Sequence, residues 1–153
     1  NKKYKNIDKN EGISIVFKEI NYNIPCNIIK RRKNMTITTE IKGDCLIVRM
    51  KGELDMDSAN KFKKKVIPKL EKNKLSYLIL NLSKVKFIDS TGLGAILGRY
   101  RVLEKEGGKV LLVGLKPQVK RIFSLSGMLK IMPEFESEDK AISEINKGEY
   151  NLA

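Results

Sequence analysis

The stretch that most constrains this chain is the apolar run Tyr77-Leu78-Ile79-Leu80-Asn81-Leu82, together with the turn and helix pattern behind it. A run with almost no polar face reads as a buried strand, covered on both faces or flanked by strands on both sides. Behind it, Val85 to Tyr100 passes through Asp89-Ser90-Thr91-Gly92 into an amphipathic pattern with Leu93, Ile96, Leu97, Tyr100 and Leu103 on one side. Asp, Ser and Thr start helices, because their side-chain oxygens accept the first free backbone N–H groups. The chain is thus committed to a strand, a tight turn and a helix, with hydroxyls at the positive end of the helix dipole. On spacing alone Ser90 is either a simple helix cap or a hydroxyl presented to a partner.

The rest of the chain supplies elements of the same kind. Thr36 to Ile41 alternates as a strand, Lys42-Gly43-Asp44 is a tight turn, and Cys45 to Gly52 is the return strand of a hairpin. After Gly52-Glu53-Leu54-Asp55, a helix is predicted from Ser58 to Leu70, with Asp55 or Asp57 as its N-cap and Pro68 as a kink or stop. The central strand is predicted over Leu75 to Leu82, and the helix after Asp89 continues to about Glu106, closed by Gly107-Gly108. Lys109 to Leu115 is another strand, and Pro117 opens a helix. Ser126 to Ile131 reads as a turn into a short last strand, and Ser137 caps a closing helix. The order is hairpin, helix, strand, helix, strand, helix, strand, helix. It implies an α/β domain with a mixed four- to five-stranded sheet and about four packed helices.

Composition removes several function classes. Histidine is absent, which excludes Ser-His-Asp and Cys-His catalysis and histidine zinc sites. Cys26 and Cys45 form no Cys-x-x-Cys pair, and Cys45 reads as a small buried hydrophobe. No apolar run approaches the roughly 20 residues that span a bilayer, and no signal-peptide pattern is present, so the expectation is a cytoplasmic protein without membrane contact. The net charge of +13 suggests nucleic acid. Much of it, however, is Lys61, Lys63, Lys64, Lys65, Lys69, Lys72 and Lys74 around one helix with few aromatics, which reads as a solvated face. Direct nucleic-acid binding is therefore not expected.

Residues 1–34 form an irregular basic extension, with nine Lys/Arg against three Asp/Glu and a possible strand over 13–17. Lys30-Arg31-Arg32-Lys33-Asn34-Met35 back-translates to AAA AGG AGG AAA AAT ATG, a ribosome-binding site just ahead of a start codon. This favours translated leader ahead of Met35 over a basic linker or nucleic-acid tail; CGN codons at Arg31 and Arg32 would exclude it. The domain is expected over 35–153.

Rival motifs are weak. Gly92-x-Gly94-x-x-x-Gly98 has its last interval too long for a dinucleotide fingerprint, and Gly107-Gly108-Lys109-Val110 lacks the upstream Gly and the Ser/Thr of a P-loop. Asp44, Asp55, Asp57 and Asp89 match no metal loop.

Phe87-Ile88-Asp89-Ser90-Thr91-Gly92-Leu93-Gly94 closely resembles the phosphorylation motif of the anti-sigma factor antagonists of the STAS domain family. Gly52-Glu53-Leu54-Asp55 resembles the family's neighbouring loop. Ile96-Leu97-Gly98-Arg99-Tyr100 and the Pro117 to Ile131 segment look like its sporulation branch, which acts on the anti-sigma-F factor. The resemblance runs from about Met35 to Lys147 and implies the STAS fold. It implies that the unphosphorylated protein binds an anti-sigma factor that is also a serine kinase, that the sigma factor is released, and that phosphorylation ends the contact. Ser90 maps to the phosphoacceptor, with Thr91 as rival. Asp55, Asp89, Thr91, Gly92 and Gly94 map to the partner surface, and Arg99 to its rim. A serine phosphatase would restore the protein, and ATP and Mg²⁺ belong to the kinase, so no cofactor of its own is expected. The alternative is a STAS interaction module of a stress or sensing assembly without phospho-switching.

Overall fold

A computed structural model describes residues 35–148. The N-terminal extension, with the strand expected over 13–17 and Cys26, lies outside them. A hairpin of β1 (Thr36–Lys42) and β2 (Cys45–Leu54) leads to α1 (Met56–Asn73) and β3 (Tyr77–Ile88). Then come α2 (Ser90–Lys105), β4 (Lys109–Val113), α3 (Pro117–Leu125), a 3₁₀ turn (Met128–Lys130), β5 (Glu134–Phe135) and α4 (Glu138–Asn146). The sheet order is β1-β2-β3-β4-β5, antiparallel at the first pair and parallel thereafter.

Alternation along the strands divides the core in two. Leu46, Val48, Leu78, Leu80, Val110 and Leu112 face α1, α2 and α3, where Phe62, Ile96 and Phe123 are fully buried. Ile47, Ile79, Leu111 and Val113 face the other way and are covered by Ala141 and Ile145 of α4. The sheet is thus covered on both faces, as the apolar run in β3 requires. Cys45 belongs to the second cluster and is buried.

Four elements differ from expectation. β3 does not stop at Leu82 but runs to Ile88. Its pairing with β2 slips twice: Arg49↔Asn81 is followed by Lys51↔Lys84, and Gly52↔Val85 by Glu53↔Phe87. Each slip adds one residue to β3, so burial there recurs at Leu82, Val85 and Ile88 in threes rather than twos. Gly52, at the second slip, has φ 123°, a region that side chains disfavour. Second, α1 passes through Pro68 to Asn73. Pro68 lies on the exposed side of the helix, away from the core. Third, α1 starts at Met56 rather than Ser58. Fourth, the segment after Ser126 makes a 3₁₀ turn, and the last strand is only Glu134–Phe135.

The helix lysines have partly structural work. Lys65 Nζ donates to the Ile37 carbonyl and Lys69 Nζ to the Thr39 hydroxyl, reaching β1, the outer strand among the described residues. On the other face Arg49 makes a fork to Glu138, at 2.7 Å (Nη2) and 2.9 Å (Nε), and reaches Glu40 at 2.8 Å. Asn81 donates to Glu138 at 2.7 Å, so one carboxylate ties the start of α4 to β2 and β3. The Arg49 hydrogen bonds hold the Glu138 and Glu40 carboxyls below the usual range.

The packing sets two expected outcomes. Phe62→Ala lowers unfolding free energy by about 3–5 kcal/mol, whereas Lys63→Ala, on the exposed side, stays within about 0.5 kcal/mol, both read from urea midpoints. Because folding depresses the Glu138 and Glu40 pKa values, the stability they give is complete above about pH 5 and declines as pH falls through the folded values. Unfolding curves of Glu138→Gln therefore show a shallower loss between roughly pH 5 and 3 than wild type.

Candidate functional site

β2 and β3 end side by side. Leu54 pairs with Ile88, and each strand is followed by an aspartate and a helix. Asp55 caps α1: its Oδ1 accepts from Ser58 N at 3.0 Å, and the Asp55 N–H donates to Ser58 Oγ at 2.7 Å, a reciprocal capping box. Asp57 lies in the first turn and is not the cap. Asp89 caps α2, its Oδ1 accepting from Gly92 N at 2.8 Å.

The Leu54 carbonyl joins the two starts. It accepts the Asp89 N–H at 3.1 Å. A Cβ added to Gly92 would lie 2.4 Å from the same oxygen, so only glycine lets the first turn of α2 pass this close.

Ser90 is consequently the first residue of α2 and not its cap. It is exposed, as is Thr91, beside N–H groups that a helix start cannot satisfy internally. Asp55 and Asp89 are half-buried, while Glu53 and Asp57 are exposed beside them. This end of a chain of net charge +13 thus gathers four carboxylates. Among the described residues no group of three or more His, Cys, Asp or Glu could hold a metal ion. The arrangement offers an exposed hydroxyl that can accept a phosphoryl group and a ready anion seat.

A profile of the STAS domain matches residues 36–141. The chain belongs to the STAS domain family. The Paenibacillus polymyxa anti-sigma F factor antagonist is 34% identical over 112 residues, 73% of this chain and 96% of that one. The Bacillus subtilis anti-sigma-B factor antagonist is 29% identical over 99 residues, 65% and 89% of the two chains. The anti-sigma factor antagonist SpoIIAA in its unphosphorylated form superposes with a TM-score of 0.67 at 27% identity, covering 73% of this chain and 97% of that one. The phosphorylated form of the Bacillus protein gives 0.61 at 27% identity, covering 72% and 99%.

On this STAS domain the structure brings Asp55, Asp89, Ser90 and Thr91 to one end, where the parallel strands finish. Gly94 is exposed on the same helix, with open space where a side chain would be. Gly92 is corrected: it is buried against Leu54, where it serves the packing rather than a surface. Arg99, expected at the rim of that surface, is half-buried beyond Ser90 on the same helix. It lies about 13 Å further along α2 at 1.5 Å per residue, lining a cleft with Leu70, Glu71, Lys74, Val102 and Glu106. Two residues escape sequence reasoning: Met56 and Phe87 are exposed apolar side chains beside the aspartates. The slips in β3 hide the exposure of Phe87 from sequence, since they alter which strand residues face outward.

The cap assignment is testable by urea unfolding. Asp55→Ala and Asp89→Ala each lower stability by about 1 kcal/mol, while Ser90→Ala stays within about 0.5 kcal/mol. Gly92→Ala forces the turn from Leu54 and costs about 1–3 kcal/mol.

Proposed function

We propose that this STAS domain is an anti-sigma factor antagonist whose unphosphorylated form binds a cognate anti-sigma factor and releases the sigma factor, and that phosphorylation of Ser90 switches it off. The partner is itself the serine kinase, bringing ATP and Mg²⁺, and a serine phosphatase restores the free hydroxyl. The chain performs no chemistry of its own.

The observation that carries this reading is the division of labour at the start of α2. Asp89 makes the cap, so the adjacent Ser90 hydroxyl is exposed without a capping duty. A structural reason for a serine here is therefore weak. The relatives support the same direction: proteins named anti-sigma factor antagonists share the fold and a quarter to a third of their residues.

The physics of the switch is local. A phosphate adds about −1.5 to −2 charges at a helix N-terminus, which favours anions, so the fold tolerates it. The contact does not. A bulky hydrated dianion beside Asp89 and Asp55 keeps a partner from closing over the site, and like charges add repulsion.

Incubation with the host's anti-sigma kinase and ATP, followed by mass spectrometry, is expected to place one phosphate on Ser90, lost in Ser90→Ala and retained in Thr91→Ala. Modification of Thr91 alone would move the acceptor. No phosphate and no complex would remove the antagonist reading and favour an interaction module without a phospho-switch.

A further inference from the structure

Two large apolar side chains stand in water beside the paired aspartates. Met56, the first residue of α1, is 61% exposed, and Phe87, near the end of β3, is 48% exposed. The exposure of Phe87 is built by the backbone. Val85 is buried, so strict alternation would bury Phe87 as well. The slip between Gly52 and Glu53 inserts one residue, buries Ile88 instead and turns Phe87 outward. An aromatic held out of a core by a strand distortion is a surface feature of the fold.

We propose that Met56 and Phe87 are the apolar anchors of the contact with the anti-sigma factor, and that the partner meets them with an apolar pocket bordered by arginine or lysine side chains. This rests on the antagonist reading of the site and adds the chemistry of the partner's face. Interface centres are enriched in aromatic residues and methionine, with charges kept to the rim. Here Met56 directly follows Asp55, Phe87 precedes Asp89 by two positions, and Glu53 pairs with Phe87 across the strands. With Asp57, these carboxylates rim the apolar pair on the β2 and α1 side, and a cationic border complements them; the exposed Lys86 beside Phe87 marks the other side. The same geometry explains why Ser90 is an effective switch. It lies three residues beyond Phe87, so a hydrated phosphate there keeps the anchors from a dry pocket.

The test is calorimetric titration of the host's anti-sigma factor into unphosphorylated wild type, Met56→Ser, Phe87→Ser and Leu125→Ser, each checked for an unchanged urea midpoint. Leu125 is the control. It is more exposed, at 78%, but ends α3, whose other end lies near β3 through the 3.3 Å bond from Gln118 Nε2 to the Lys86 carbonyl. Met56→Ser and Phe87→Ser are expected to weaken binding roughly tenfold to a hundredfold, and Leu125→Ser less than about twofold. Tight wild-type binding that both variants keep overturns the anchors alone. Absence of wild-type binding overturns the antagonist reading and the anchors with it.

Discussion

The bond from the Asp89 N–H to the Leu54 carbonyl holds the ends of β2 and β3 together, and the rest of the site inherits its position from that contact. Because each strand runs straight into an aspartate-capped helix, aligning the strand ends also aligns two helix starts. The same carbonyl sets how near α2 can come, and glycine at 92 is the consequence. Parallel sheets commonly present their binding sites beyond the carboxyl ends of their strands, and here the two aspartate-capped helix starts lie at that end.

The division between scaffold and signal is sharp. Asp89 and Asp55 satisfy N–H groups and give the helices defined starts. Ser90 stands next in the chain with no share in the cap. Helix N-termini favour negative charge, so on the proposed reading a phosphate at Ser90 meets a structure already suited to it. Two of the α1 lysines, Lys65 and Lys69, reach across to β1.

Much of this fold is legible in the sequence, and the remainder has physical causes. Apolar runs and caps reveal the order of strands and helices, because burial on both faces leaves little freedom in residue type. The second half of β3 is hidden, since two extra residues convert a period of two into one of three at Leu82, Val85 and Ile88. The two-residue β5 is too short to show a period at all. Choosing Asp55 over Asp57, or Asp89 over Ser90, turns on a shift of one or two residues in where a helix begins. Hydrogen-bond geometry decides that, and side-chain type does not. Motif alone groups Gly92 with the surface, and its depth against Leu54 separates it. The exposure of Phe87 depends on strand register, which no local pattern reports.

The central claim is that phosphate at Ser90 spares the fold and abolishes the contact. The most direct measurement takes one preparation, half of it phosphorylated at Ser90, and records both thermal unfolding and affinity for the anti-sigma factor. The account predicts nearly coincident unfolding curves and an affinity more than a hundredfold weaker in the phosphorylated half, equivalent to about 3 kcal/mol. Equal affinities would contradict the switch, and a large drop in melting temperature would show that the phosphate acts by disrupting the fold rather than the surface.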